Sequence, residues 1–261
     1  MKLLRGRRGW VLGAFLGYVL LALGFSAVYG ASASRTPASV RNIGITAFSS
    51  ATYSSPIAMS ADNSRIWVVN PDDDSVSVID PATDSVANKF NVGDEPQSVA
   101  LDANGIAYVA NAAGNDVTVI DPASGVIATL VTGAEPWNIV TSPNGARVFV
   151  ANSAQDTITV INTQVNPPAI IGSVDIANSA CNDPDRSRHF QPRGMAVTAN
   201  NSQLYVSRFL SFVKAGGVQA TDTGKEGVVC RFTVNTAGTT AATVLTAPTA
   251  IALASDRKSV V

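Results

Sequence analysis

The residues of this chain that could bind a ligand or catalyse a reaction fall in two stretches that interrupt a regular pattern. Residues 177–191 contain His189, the only histidine, with Arg193 two residues beyond them, and residues 208–227 begin at Arg208. A histidine beside carboxylates can act as a general base, and carboxylates with amide oxygens can hold a hard cation such as calcium. The sequence contains no Ser-His-Asp set, phosphate-binding loop or zinc-ligand spacing.

Further candidates stand at the starts of repeated units, where acidic residues precede a proline. Such acids commonly form turns, and a single histidine in an arginine-rich loop is commonly a surface residue. The sequence therefore favours a non-catalytic protein, with His189 as the one catalytic candidate. No cofactor is predicted, and a divalent metal is an open alternative. The candidates for a ligand-binding face are Asp94, Glu95, Glu135, Trp137, His189, Arg193 and Arg208.

A repeat of about 40 residues must position these groups. Pro56, Pro96 and Pro136 recur at intervals of 40 residues, and the motif Val-x-Val-Ile-Asp recurs at 41. Each unit has four short apolar or alternating segments, separated by turn signals such as Asn104-Gly105 and Asp121-Pro122. This pattern predicts an all-β protein, a β-propeller of four-stranded blades.

The second segment of each unit also resembles a known family. Tyr108-Val109-Ala110-Asn111 and Phe149-Val150-Ala151-Asn152 resemble the propeller repeats named for their Tyr-Val-Thr-Asn signature. The resemblance covers residues 55–176 well and residues 191–256 in weaker form, with Ser207 in place of the signature Asn. It implies an exported or cell-surface propeller, within a superfamily of lactonase-like and WD40-like folds that hosts many activities.

The repeat defines the expected organisation of the chain. We expect a lead-in and ring-closing strand at 34–54, and propeller repeats over 55–261. Since the last unit stops before its second strand finishes, we expect the chain to be a fragment of a larger closed propeller with four to eight blades. The units are 55–94, 95–134, 135–190, 191–246 and a partial fifth at 247–261.

The amino terminus resembles an export signal. Four basic residues precede an apolar stretch from Gly9 to Gly30, so residues 1–33 are predicted to be a signal peptide or, if uncleaved, a membrane anchor. The protein is thus expected in the periplasm, at the cell surface or outside the cell. Removing residues 1–33 takes away four of the 18 basic residues and none of the 19 acidic ones, which leaves a net charge of −5. That balance argues against binding nucleic acid.

Cys181 and Cys230 are the only cysteines, and they form no CxxC or CxxCH motif. Two free thiols and one structural disulfide are the alternatives. We favour the disulfide because the blade topology brings both long stretches to one face, where a bridge would join them.

Three functions from different classes remain open. The first is a binding or interaction module whose partner is a protein, a glycan or a small molecule held at the face with the long loops. The second is a periplasmic enzyme, either a lactonase-like hydrolase or a dehydrogenase subunit. The third is a binder of single-stranded nucleic acid, which the charge disfavours. We favour the first.

Overall fold

The computed structural model describes residues 53–54, 56–181, 189–214, 216–218 and 224–254. The chain divides into two compact units, 1–45 and 46–261, and every described residue belongs to the second. The predicted signal or anchor at 1–33 and nearly all of the lead-in at 34–54 therefore lie outside the described residues. Within the described part, no helix has the length and apolar character needed to cross a membrane.

Three antiparallel sheets with their strands in sequence order form the first three blades. Each pairs neighbouring strands through hairpins, so the four predicted segments of a unit become four adjacent strands. Blade 1 contains β1 (Tyr53–Ser54), β2 (Ile57–Met59), β3 (Ile66–Asn70), β4 (Ser75–Asp80) and β5 (Ser85–Asn91); blade 2 contains β6 (Pro96–Leu101), β7 (Ala107–Asn111), β8 (Asp116–Asp121) and β9 (Gly125–Val131); blade 3 contains β10 (Pro136–Thr141), β11 (Arg147–Asn152), β12 (Thr157–Asn162) and β13 (Ala169–Asp175).

Blade 4 follows the same plan with two additions. Its strands are β14 (Pro192–Val197), β15 (Gln203–Arg208), the short β16 (Phe212–Val213), β17 (Lys225–Val234) and β18 (Leu245–Ala254), and the four-residue helix α1 (Ala241–Val244) precedes β18. The predicted insertion between the second and third strands of this unit is thus confirmed, and β16 pairs with the start of β17 inside it.

The expected fifth unit at 247–261 is wrong for its described part. Residues 245–254 pair antiparallel with β17, in a register that joins Cys230 to Ala250 and Glu226 to Ala254, so they are the outer strand of blade 4. The register shifts between Arg231 and Thr233, opposite Pro248, because proline has no N–H to donate to the ladder. A proline before small apolar residues resembled the start of a unit, yet here it marks this irregularity.

The turns form where the sequence predicts them. Gly105 and Gly145 adopt φ angles of +80° and +68° in the hairpins between first and second strands, a region that glycine enters without steric cost. Asp80 and Asp121 each accept a hydrogen bond from the backbone N–H two residues later, at 2.9 and 2.8 Å. These Asx turns connect the third strand of a blade to the fourth.

Apolar side chains between successive blades form the core. Trp67 of blade 1 packs with Val99 and Val109 of blade 2, and Tyr108 of blade 2 packs with Ile139 of blade 3. Phe149 of blade 3 belongs to the largest cluster, which extends into blade 4. Each blade therefore buries its apolar surface against its neighbour, as a propeller requires.

Candidate functional site

The loops between second and third strands and the connections from blade to blade meet on one face, the long-loop face. Three hydrogen bonds join them. The backbone N–H of the residue before each blade's first proline donates to an Asp or Asn side chain in the preceding blade: Glu95 to Asp74 at 3.0 Å, Glu135 to Asn115 at 2.9 Å and Gln191 to Asp156 at 2.7 Å. The bond at Gln191 puts the described end of residues 177–191 on this face, and the start of residues 208–227 lies beside it, because the Phe209 N–H donates to the Gln191 carbonyl at 3.1 Å.

All six residues of these interblade bonds have φ between 48° and 56°. Asp and Asn tolerate this left-handed conformation because their short side chains can hydrogen-bond locally. Glu and Gln have no such compensation, and a following proline disfavours the helical region further. The interblade bond therefore helps to hold strained backbone at Glu95, Glu135 and Gln191. These residues directly precede the first strands of blades 2, 3 and 4, so the bond also fixes the direction in which each strand begins.

Asp156 carries a second contact. Its Oδ1 accepts the bond from Gln191, and its Oδ2 lies 2.9 Å from Nδ1 of His189. The Asp156 side chain is 4% exposed, whereas that of His189 is 73% exposed. A buried carboxylate thus holds an exposed imidazole by Nδ1, which leaves proton exchange with a ligand or water to Nε2.

Arg193 lies between two aromatic rings. Its guanidinium carbon is 3.5 Å from the centre of the Trp137 ring and 4.6 Å from that of Phe209. Nη2 contacts Glu135 Oε1 at a long 3.4 Å, and the Arg193 side chain is 20% exposed. Nε and Nη1 are buried and have no hydrogen-bond partner within the described part of the chain. The guanidinium is therefore stacked but poorly supplied with acceptors.

Trp137 belongs to this stack and to none of the apolar core clusters. It directly follows Pro136 at the start of β10, as Gln97 and Arg193 follow the prolines of blades 2 and 4. These positions start the first strand of each blade. Adjacent blades therefore bring Trp137 and Arg193 into contact across 56 residues of sequence.

The other predicted residues have separate roles. Arg208 donates from Nη2 to the Glu226 carbonyl at 2.6 Å and from Nε to the Leu210 carbonyl at 2.9 Å, so it holds the base of the insertion in blade 4. Glu95 accepts a bond from Gln97 at 3.2 Å, and the Asp94 carbonyl accepts one from Gly114. No described contact joins Asp94 or Glu95 to His189 or Arg193.

The signature asparagines hydrogen-bond within their own blades. Asn111 Nδ2 donates to Asp116 and Thr118, and Asn152 Nδ2 donates to Thr157 and Thr159, all at 2.6–2.9 Å. These asparagines therefore fasten the hairpin between the second and third strands of their own blades. In the described ranges, no group of three or more His, Cys, Asp or Glu side chains is arranged to hold a metal ion.

The repeat is also recognised by comparison with known proteins. Residues 33–153 match the family model described as YNCE-like beta-propeller. The chain is a β-propeller protein. The match confirms the resemblance that the Tyr-Val-x-Asn and Val-x-Val-Ile-Asp strands predicted. No curated protein matches the sequence significantly.

Solved propellers share the fold at low identity. Hydrazine synthase from Kuenenia stuttgartiensis is 21% identical with a TM-score of 0.55, over 77% of this chain and 51% of its own. A functionally unknown protein from Desulfotomaculum acetoxidans is 17% identical (TM-score 0.53, 74% and 54%), and a putative 6-phosphogluconolactonase from Bacteroides uniformis is 12% identical (0.52, 74% and 56%). The chain spans about half the length of these structures.

The predicted disulfide is present. Cys181, in the connection from blade 3 to blade 4, bonds to Cys230 in the third strand of blade 4, with the α-carbons 5.4 Å apart. Both residues are buried in the cluster that contains Phe190 and Met195. The bridge therefore fastens one long stretch to the strand that follows the other.

Two residues of the site were not predicted. Asp156 follows Asp74 and Asn115 at intervals of 41 residues, so a search for the polar residue of each second hairpin would have found it. Phe209 lies in an insertion that has no counterpart in the other units, and no repeat pattern could reveal its contact with Arg193.

Proposed function

We propose that this protein is a binding module whose long-loop face takes a ligand with an anionic group at Arg193. The observation that carries the proposal is the stacked guanidinium of Arg193, two of whose nitrogens are buried and have no acceptor among the described residues. An unpaired buried donor costs about 1–3 kcal/mol, more when it is charged. A carboxylate or phosphate that reached this guanidinium would bind through charge-assisted hydrogen bonds.

The neighbouring side chains favour a ligand that also has a flat apolar part. Trp137 and Phe209 border the guanidinium, and Phe209 is 55% exposed. Aromatic rings beside an arginine bind planar groups by stacking while the guanidinium binds the anion. A small aromatic acid, a uronic acid of a glycan or an acidic side chain of a protein all have this chemistry.

Charge on the long-loop face supports one orientation of the ligand. The loops of blades 1 and 2 are acidic, with Asp72, Asp73, Asp74, Asp94 and Glu95, whereas the described part of blade 4 has Arg193 at the start of β14, Arg208 at the end of β15 and Lys214 after β16. An anionic group is therefore attracted toward blade 4 and repelled from blade 1. The same acidity and the net charge of −5 for residues 34–261 disfavour nucleic acid as the ligand.

The proposal includes export. The sequence pattern of residues 1–33 and the disulfide between Cys181 and Cys230 both support a periplasmic, cell-surface or secreted protein. Because the chain spans about half the length of similar propellers, the proposed activity is that of the part described here.

Benzoate is a probe with both chemical features. We expect it to quench Trp137 fluorescence saturably, and we expect Arg193→Gln to weaken binding about tenfold or more, through loss of a charge-assisted contact. Arg231→Gln, which removes a surface arginine of β17, is the matched control and should bind as the unmodified chain does. Equal affinity of both variants and the unmodified chain would contradict the proposal.

Hydrolysis is the second candidate, and the pair of His189 and Asp156 favours it. The carboxylate orients the imidazole, so Nε2 could take a proton from a water that attacks an ester or lactone. The neighbour from Bacteroides uniformis is described as a putative lactonase, which fits this class. Turnover of gluconolactone or p-nitrophenyl acetate that His189→Gln abolishes would establish it, and turnover unchanged by that substitution would exclude His189.

A further inference from the structure

A cavity of about 540 Å³ lies between blades 1 and 2, away from the residues of the long-loop face. Its volume is within the range of small-molecule sites. Trp67 and Phe90, whose rings stack at 5.8 Å, form its apolar side, and Arg65 and Asp102 line it with charged groups. Ala87 completes the border on the outer strand of blade 1.

The cavity exists because blade 1 lacks a side chain that blades 2 and 3 have. Ala87, Ile127 and Ile171 occupy the same bulged position of β5, β9 and β13, between residues with matching partners. Ile127 and Ile171 pack against the apolar clusters of their blades. The smaller Ala87 leaves unfilled the volume that isoleucine occupies in the other two blades.

Arg65 indicates one chemical group of an occupant. Its counterpart in blade 3 is Arg147, which donates from Nη1 to Asn162 at 2.8 Å, as Arg65 does to Asp80 at 3.2 Å. Arg147 also donates from Nη2 to the carbonyl of Gly238, in the long turn between β17 and α1. In blade 2 the corresponding turn, between the third and fourth strands at Pro122, is short. Within the described ranges, Nη2 of Arg65 therefore has no carbonyl like that of Gly238.

Asp102 indicates the second group. Blades 1 and 3 have Ser60 and Ser142 at its position, and in all three blades this side chain accepts the backbone N–H at the end of the hairpin, at 2.9–3.0 Å. A serine hydroxyl is thus enough to accept this backbone N–H. Asp102 Oδ1 also accepts the backbone N–H of Asn104 at 2.8 Å. Among the described residues, the second carboxylate oxygen of Asp102 has only a long contact, 3.4 Å, with the Tyr108 hydroxyl. It is an acceptor that the fold does not require.

We propose that this interblade cavity binds a small neutral molecule with an apolar ring and an amide group. The ring packs against Phe90 and Trp67, the amide carbonyl accepts from Arg65, and the amide N–H donates to Asp102. A neutral amide matches one donor and one acceptor together, whereas a carboxylate would be repelled by Asp102. The site is separate from the binding site proposed at Arg193.

Benzamide is the probe, titrated into the full chain and followed by Trp67 fluorescence and by saturation-transfer NMR of the ligand. We expect saturable binding that Ala87→Ile weakens about tenfold or more, because isoleucine fills the volume as in blades 2 and 3. Val86→Ile, which enlarges the exposed neighbouring side chain, is the matched control and should leave affinity unchanged.

Arg65→Met gives a second test if Ala87→Ile does not fold, and it should also weaken binding about tenfold through loss of the carbonyl contact. Arg193→Gln should not change benzamide affinity. Absence of saturable binding, equal binding by Ala87→Ile, or loss of binding in Arg193→Gln would each overturn the proposal.

Discussion

Asp156 illustrates how one residue serves both the fold and the candidate site. In blade 2, the neutral Asn115 makes the same interblade hydrogen bond that Asp156 makes to Gln191. The connection between blades therefore does not require a charge at this position. The second oxygen of Asp156 is used by His189, which explains why an acid rather than an amide suits this blade.

Substitution of Asp156 should separate these two roles. Asp156→Asn keeps an acceptor for the Gln191 N–H, so the free energy of unfolding should fall by less than about 1 kcal/mol, whereas Asp156→Ala leaves that donor unpaired and should cost about 1–3 kcal/mol. Urea unfolding measures both. Asp72→Ala, an exposed acid of the same face, is the control, with an expected change within about 0.5 kcal/mol. Equal losses for the two Asp156 variants would show that the charge itself supports the fold.

Asp102 and Asp62 should give pH dependences of opposite sign. Burial raises the pKa of Asp102 above its usual 3.8, although hydrogen bonds from Asn104 and Ile106 oppose the shift. Its contribution to stability is therefore fully present below pH 3.8 and lost as the pH rises through the folded-state pKa. Hydrogen bonds, first from the Ser60 side chain and then from Ser64, lower the pKa of the exposed Asp62 to about 2, so its contribution is present above pH 3.8 and lost as the pH falls through about 2.

Replacement of each acid by serine tests this difference. Relative to the unmodified chain, Asp102→Ser should become more stable as the pH rises from about 3 to about 7, because it keeps an acceptor for the turn without a buried charge. Asp62→Ser should become less stable over the same interval. Thermal unfolding at several pH values measures both, and a parallel response of the two variants would contradict the assignment of the shifts.

Strand topology predicts which residues share the long-loop face, but not which of them touch. Glu135, Trp137 and Arg193 were placed on one face by strand topology alone, because alternate loops of a meandering blade emerge on the same side. Their mutual contacts depend on the angle and spacing between blades 3 and 4, which no local pattern encodes. Phe209 depends further on the path of an insertion.

Among the structural elements, blades 1–3 were predicted well because each strand and turn is specified within a few residues. Blade 4 was predicted less well because its outer strand pairs with β17 only after an intervening turn and helix. Whether residues 245–254 begin a new blade or complete an old one is decided by that pairing and not by Pro248. Sequence repeats thus specify elements better than they specify which blade an element joins.

The disulfide between Cys181 and Cys230 should stabilise blade 4. It closes a segment of 49 residues between two buried sulfurs, and removal of such a bridge typically costs about 2–4 kcal/mol. The double substitution Cys181→Ala with Cys230→Ala should lower the free energy of urea unfolding by that amount. The unmodified chain under reducing conditions should shift in the same direction. Unfolding of the double variant at the urea concentration of the oxidised chain would contradict a stabilising role.

Across the whole described part, charge divides the long-loop face into an acidic side at blades 1 and 2 and a basic, aromatic side at blade 4. Together with the net charge of −5 for residues 34–261, this division should prevent stable binding of nucleic acid. Fluorescence anisotropy of a labelled oligothymidine should show no saturable binding at physiological salt. Tight binding that weakens steeply with salt would instead favour the nucleic-acid function.

In the proposed binding mode, the guanidinium of Arg193 receives the anionic group of a ligand on the long-loop face. The most direct measurement is a benzoate titration followed by NMR of the arginine Nε–H and tryptophan indole N–H signals. We predict that the signals of Arg193 and Trp137 move together and saturably, while that of Trp67 is unaffected. Saturable changes that leave the Arg193 signal in place, or no saturable change at all, would contradict the claim.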